Sequence, residues 1–305
     1  MGVTMCEKTA AAAVIMKEYL TKKDYEDIKN LMELCYLEDS VNLKLELDYK
    51  LTVRKHPGPD MKAINEFLYY ADENLVSYLG ICNFGGNVLE LNGMTHPEYR
   101  KKGLFQRLFR LAVLDAENGG HKSLLLLSDE KSETGNRFIK ETGASYKTSE
   151  YRMKLFEKPE TDSPCTSLNP DITLKTADQS DLKEIARQNA LHFNTTEESE
   201  ALLLDESMLQ EGMYMVLLNG ETIGKISVEY DENSAFIYGF GILPEHRGKG
   251  YGKAAFQALL HIIKEKDPID ILLDVESKNR NALNLYKSFG FEEMSVMNYY
   301  EYMIL

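Results

Sequence analysis

The sequence predicts an α/β fold with mixed sheets, built twice in one chain. Three observations carry that reading. The chain has 305 residues, about twice an ordinary domain. Residues Glu157–Asp171 (EKPETDSPCTSLNPD) place three prolines among Ser, Thr, Asn and Asp with no apolar period, which is the composition of a linker. An ungapped shift of 147 residues lays Pro97 on Pro244, Glu98 on Glu245, Arg100 on Arg247, Lys102 on Lys249, Gly103 on Gly250, Phe109 on Phe256, Leu125 on Leu272, Leu126 on Leu273, Lys140 on Lys287 and Gly143 on Gly290. Composition alone would supply roughly three such identities. The period is domain-sized, so it marks a duplication rather than a solenoid. The expected division is residues 1–157, a linker at 158–171, and residues 172–305.

The second half parses into elements in order. Ile172–Ala177 reads as a strand, and Asp178–Asp181 caps a helix running to about Phe193. A further helix covers about Glu197–Gln210. Met213–Leu218, the turn Asn219-Gly220 and Glu221–Tyr230 form a hairpin. Asp231-Glu232-Asn233 turns into a strand over Ser234–Leu243. A helix follows from near Gly250 to Lys266, its apolar face at Tyr251, Ala255, Ala258, Leu259 and Ile262. Ile269–Val275 is a strand, Asn281–Ser288 a helix ended by Gly290, and Phe291–Leu305 a final strand. The first half repeats this order: a helix at Asp24–Tyr36, a meander of Phe67–Ala71, Leu75–Asn83 and Val88–Thr95 with turns at Asp72–Asn74 and Gly85–Asn87, a helix at Leu104–Glu117, a strand at Ser123–Leu127 and a helix ending at Gly143. Ala10–Met16 is too short to span a membrane and follows Glu7 and Lys8, so it reads as a flexible arm or a mispredicted start rather than a signal peptide.

The net charge is −14 and the mean hydropathy −0.36. That balance disfavours broad nucleic-acid binding, which needs Lys and Arg to displace counterions, and favours solubility and cationic partners such as amines. The run Arg100, Lys101, Lys102 with Arg107 and Arg110 reads as a solvated helix face or a phosphate cradle. Cys6, Cys35, Cys82 and Cys165 are scattered and the six histidines have no ligand spacing. No disulfide framework or metal site is expected, and a reducing cytoplasm fits. No membrane span is expected.

The strongest chemical signal is Pro244-Glu-His-Arg247-Gly248-Lys249-Gly250-Tyr251-Gly252, between a strand and an amphipathic helix. A glycine-rich turn at a helix N-terminus presents unpaired N–H groups and the positive end of the helix dipole, a pyrophosphate site. Arg247 adds a cation, and the glycines let phosphate approach the backbone. The same turn without a ligand is the plain alternative. Neither a P-loop nor a Rossmann fingerprint is present.

Arg247-x-x-Gly250-x-Gly252, followed by Asn279-x-x-Ala282-x-x-Leu285-Tyr286-x-x-x-Gly290-Phe291, resembles the GNAT superfamily of acetyl-CoA-dependent N-acetyltransferases. The resemblance spans about residues 172–305 and implies two tandem copies of a mostly antiparallel twisted sheet flanked by helices. It also implies roles. Backbone N–H groups of Arg247, Gly248, Lys249, Gly250, Tyr251 and Gly252, with Lys253, would hold the CoA pyrophosphate of the cosubstrate acetyl-CoA. Backbone groups of Ile242 and Leu243 would pair with the pantetheine arm, and Asn279, with Ala282 in the same motif, would hold the arm from the other side. Tyr286 would protonate the departing thiolate; packing alone is the other reading of Tyr286, and helix capping the other reading of Asn279.

Many members place a carboxylate on the fourth strand as general base. Here that strand reads Phe236-Ile-Tyr-Gly239-Phe-Gly241-Ile, so Glu229 and Glu276 are the candidates, beside a water relay or an amine that arrives neutral. Gly239 and Gly241 leave room for substrate or mark a bulge. In the first copy Phe105 stands where Gly252 does, Ser132 where Asn279 does and Ile139 where Tyr286 does, so the first copy is expected to be non-catalytic. The resemblance implies an N-acetyltransferase acting on a primary amine of a small molecule or peptide, as a monomer or homodimer. A CoA-binding sensor or scaffold is the alternative.

Overall fold

The structure is a computed structural model that describes residues 12–53, 64–83, 88–156, 171–193, 195–203, 209, 212–231 and 233–304. The turn expected at Gly85–Asn87, most of the linker expected at 158–171, Cys6 and Cys165 lie outside these residues. The chain divides into two compact units, Met1–Ser149 with Ser295–Leu305, and Glu150–Met294.

The first unit holds β1 (Ala12–Lys17), α1 (Lys22–Asp39), α2 (Leu47–Val53), β2 (Glu66–Ala71), β3 (Asn74–Cys82), β4 (Leu89–Thr95), α3 (Leu104–Asn118), β5 (Ser123–Asp129) and α4 (Glu133–Thr142). Its sheet runs β1-β2-β3-β4-β5 and closes on the last strand of the chain, β12 (Phe291–Met303). Among the described residues β4 and β5 pair in parallel, while β1–β2, β2–β3, β3–β4 and β5–β12 pair antiparallel. The second unit holds part of β6 (Ser145–Leu155), then β7 (Ile172–Thr176), α5 (Leu182–Phe193), α6 (Glu197–Leu203), β8 (Met213–Leu218), β9 (Glu221–Tyr230), β10 (Ser234–Ile242), α7 (Tyr251–Glu265), β11 (Asp270–Glu276) and α8 (Arg280–Lys287). Its sheet runs β6-β11-β10-β9-β8-β7, with β10 and β11 parallel.

The shift of 147 is visible in the elements. β2 and β8, α3 and α7, and β5 and β11 begin and end on residues 147 apart. Each unit has a short 3-10 turn ahead of its long helix, Pro97–Tyr99 and Pro244–His246, followed by a left-handed glycine, Gly103 and Gly250.

Compactness cuts the chain differently from composition. The sequence division gives β6 to the first half and β12 to the second. In the structure, Glu150–Lys154 of β6 pair with Glu276–Leu272 of β11, and Met297–Met303 of β12 pair with Asp129–Ser123 of β5. Side chains explain the exchange. Tyr299, 4% exposed, covers Leu125 and Leu127 of β5, and Tyr300 and Tyr302 join the first unit's apolar core, while Met153 and Leu155 of β6 join the core of the second.

Two further expectations change. Ala12–Lys17 is not an arm: it is β1, antiparallel to β2, with Val14 against the first core. And α7 buries Ala255, Phe256, Leu259, Leu260 and Ile263, a face turned slightly from the expected one, because Phe256 anchors the aromatic cluster of Tyr286, Phe289 and Phe291. Among the described residues no helix is long and apolar enough to cross a membrane.

Candidate functional site

The second unit's turn is shaped by backbone conformation. Gly248 and Gly250 sit at φ +74° and +84°, a region that glycine reaches without strain. A Cβ at either would meet nothing within 4 Å, so conformation rather than space asks for glycine. Helix α7 starts at Tyr251 with no side-chain cap, which leaves first-turn N–H groups without the usual partner at the positive end of the dipole. Arg247 donates from Nε to the carbonyl of Ile242 at 2.6 Å and braces the turn against the end of β10. Lys249 reaches back to the carbonyl of Glu245 at 3.0 Å.

Above this turn the parallel pair opens. β10 and β11 are in register only from Ser234–Asp270 to Ile237–Leu273. β10 then bulges between Tyr238 and Gly241, with Gly239 at φ +59°. The two expected backbone contacts at Ile242 and Leu243 are partly taken: the Leu243 N–H donates to Ile223 at 2.8 Å, and the Ile242 carbonyl accepts Arg247. The stretch of β10 without a β11 partner is Tyr238–Ile242, so the available strand edge lies just upstream of those two groups.

Asn279 is the N-cap of α8: its Oδ1 accepts from the Ala282 N–H at 3.1 Å. Ser132 caps α4 in the same way, accepting from Gly135 at 3.2 Å. The residue type at this position therefore has a structural cause in both units. Tyr286 is 7% exposed and packs on Phe256 at 5.1 Å and Phe291 at 6.2 Å between ring centroids. Burial pushes its phenol up to about 12, so it holds its proton at neutral pH. Its hydroxyl makes no hydrogen bond among the described residues. Glu229 and Glu276 are both exposed, on β9 and at the end of β11.

Sequence reasoning missed a polar group behind the bulge. Lys225 of β9 is 6% exposed; burial pushes its ammonium down to about 8, with Glu200 of α6 opposing the shift. Its Nζ and the Ser227 Oγ border the open side of Gly239, at 3.6 and 3.8 Å from where a Cβ would sit. His192 of α5 fills the room expected for substrate at Gly241: a Cβ there would overlap the His192 ring. Burial first, then Lys225 and Arg247, hold His192 below its usual range.

In the first unit the turn survives with different occupants. Arg100 donates from Nε to the Thr95 carbonyl at 3.0 Å, the counterpart of Arg247 and Ile242, and pairs with Asp39 at 2.6 Å. Lys101 holds φ +61° where the second unit has Gly248. Lys102 lies over the Tyr99 ring at 4.8 Å and Arg107 over Tyr69 at 6.0 Å, so the basic run is spread over local partners. Phe105 packs edge-on to Phe138 at 4.9 Å. A cavity of about 440 Å³ opens beside this turn, reached by Gly93, Thr95, Lys101, Gly103 and Ser128, within the usual ligand range. Ile139, at the Tyr286 position, is buried in the apolar core.

Comparison with known proteins agrees with this geometry. Residues 180–291 match the Acetyltransferase (GNAT) family. A mycothiol acetyltransferase of Renibacterium salmoninarum is 26% identical over 225 residues, 68% of this chain and 66% of that protein. A mycothiol acetyltransferase of Mycolicibacterium smegmatis is 26% identical over 251 residues, 74% of this chain and 79% of that protein. The matches to the first curated relatives span 66%, 44% and 59% of those proteins, less than two thirds of their length. A tandem GNAT protein from the clavulanic acid biosynthesis pathway, 13% identical, superposes with a TM-score of 0.76 over 97% of this chain and 99% of that one, which shows a shared fold.

Proposed function

We propose that the second unit, which holds the residues 180–291 matching the Acetyltransferase (GNAT) family, transfers acetyl from acetyl-CoA to a primary amine. The observation that carries the reading is the uncapped start of α7, with Gly248 and Gly250 left-handed, at the mouth of a parallel strand pair that separates after Ile237 and Leu273. Turn N–H groups from Arg247 to Gly252, with Lys253, suit a pyrophosphate, and the unpaired stretch of β10 suits an extended amide-bearing arm. A neutral amine attacks the thioester carbonyl, the C–S bond breaks, and the Tyr286 phenol gives its proton to the departing thiolate while the amine nitrogen loses one. Water or an exposed carboxylate, Glu229 or Glu276, takes that proton. The scattered cysteines, of which Cys35 and Cys82 are buried free thiols, suit a cytoplasmic enzyme.

A second reading is favoured by one observation, the first unit's cavity. It has the turn and the volume for a CoA-like ligand but Ile139 in place of a phenol, so it suits binding without turnover.

The test is amine-dependent release of CoA thiol. Tyr286→Phe is expected to lower kcat about 10²- to 10⁴-fold with little change in the KM for acetyl-CoA. Full activity in Tyr286→Phe would remove the phenol from the mechanism, and thiol release lost in Gly103→Glu but not in Gly250→Glu would move the reaction to the first unit.

A further inference from the structure

The face of the second unit's sheet beneath α5 carries charge where an apolar core would be expected. Lys225 and Ser227, two residues apart, share one face of β9, opposite Ile226 and Val228, which pack into the core beneath α7. Among the described residues the Lys225 ammonium makes no hydrogen bond and no ion pair at bonding distance. Glu200 acts on it through space, and its own Oε1 is occupied by the Thr195 hydroxyl at 2.6 Å. A buried cation without a partner is costly, and such groups are usually completed by something. Around it the same deficit recurs. Among the described residues, His192 Nε2 and Ser227 Oγ are buried with no hydrogen-bond partner. Buried polar atoms without partners are rare in folded proteins, and here Ser227 Oγ and His192 lie beside one ammonium. The way in is Gly239, which is exposed and has no side chain to stand over Lys225. Arg247, which also bears on His192, adds a second positive charge to the field.

We propose that this pocket binds the carboxylate of the acceptor, so that the amine acetylated by the second unit belongs to an amino carboxylate such as a free amino acid, not to a polyamine. The carboxylate pairs with Lys225 and takes hydrogen bonds from His192 and the Ser227 hydroxyl. A carboxylate in that place accepts from the His192 and Ser227 donors and neutralises the buried cation. The proposal rests on the transferase reading above, because it assigns the other half of the same site.

Matched acceptors test it: tyrosine against tyramine, histidine against histamine, and ornithine against putrescine. With acetyl-CoA and the intact protein, each acid is expected to exceed its decarboxylated partner in kcat/KM by about ten- to hundred-fold. Lys225→Met should bring that ratio close to one by raising KM for the acid, and Lys225→Arg should restore part of it. Amines used as well as the acids, or a ratio that Lys225→Met does not change, would overturn the proposal. Calorimetric titration of the same compounds into the CoA-loaded protein separates the two readings. Lys225-dependent binding of the acids without turnover supports the pocket and rejects the transferase reading alone. Binding of none of the acids rejects the pocket.

Discussion

Positions 78 and 225 are the same place on the same strand of the two units, 147 residues apart, and they bury polar groups in opposite ways. In the first unit Tyr78 donates its hydroxyl to Glu66, and Lys50 of α2 donates to the same carboxylate at 2.8 Å and to the Ile81 carbonyl at 2.9 Å. All three residues are buried. The network is closed so tightly that residue 80 must be glycine, because a Cβ there would overlap the Tyr78 hydroxyl. Leu20, Ile28, Leu31 and Met94 complete an apolar core around it. In the second unit, among the described residues, Lys225 has no such partners, and Ser227 Oγ and His192 Nε2 are unsatisfied. The difference teaches that equivalent positions can bury charge in two ways: closed into a satisfied network, which holds a fold together, or left with capacity for a ligand, as the proposed carboxylate pocket requires.

The same substitution should therefore have opposite signs in the two units. Lys50→Met leaves Glu66 buried without its cation and is expected to destabilise the protein by about 3–5 kcal/mol, read from chemical denaturation. Lys225→Met removes a buried cation that lacks a close partner among the described residues and is expected to stabilise by about 1–3 kcal/mol at pH 7. Equal destabilisation by both would erase the contrast. The pH dependence sharpens it. Lys225 has a folded-state value of about 8, below the roughly 10.4 of an unfolded lysine. The unfolded chain therefore binds more protons between those values, and stability from this group rises with pH across that window. Below about pH 8 the full penalty is present. The wild type should gain stability between pH 8 and 10 relative to Lys225→Met, and parallel curves would mean that Lys225 is well paired. The smallest effect lies in the turns. Lys101 holds the left-handed conformation that Gly248 holds in the second unit, so Lys101→Gly should stabilise by about 0.5–1 kcal/mol. A loss in thermal stability would show that the lysine side chain contributes more than its backbone costs.

Much of this was legible in the sequence, for physical reasons that differ by residue. The turn from Arg247 to Gly252 could be found because left-handed backbone at Gly248 and Gly250 demands glycine. The duplication was legible because β2, α3 and β5 keep both the lengths and the spacing of β8, α7 and β11. β1 was not, because its burial is slight and its pairing with β2 is long-range. The exchange of β6 and β12 was invisible for the same reason: strand order is set by which edge a segment reaches. Lys225 was missed because Lys225 and Ser227 alternate with Gly224, Ile226 and Val228, a pattern that reads as an ordinary solvated face. Only the helices above it turn that face inward. Asn279 was readable as a cap from its spacing to the following helix; the structure gives it that role and gives Ser132 the same one.

The central claim is that the working cofactor cleft lies in the second unit. Calorimetric titration of acetyl-CoA into wild type, Gly250→Glu and Gly103→Glu tests it most directly, because both variants place a carboxylate at matched left-handed positions. The account predicts that Gly250→Glu loses acetyl-CoA binding and thiol release together, and that Gly103→Glu keeps thiol release. Wild-type titration and turnover in Gly250→Glu, with both lost in Gly103→Glu, would contradict it.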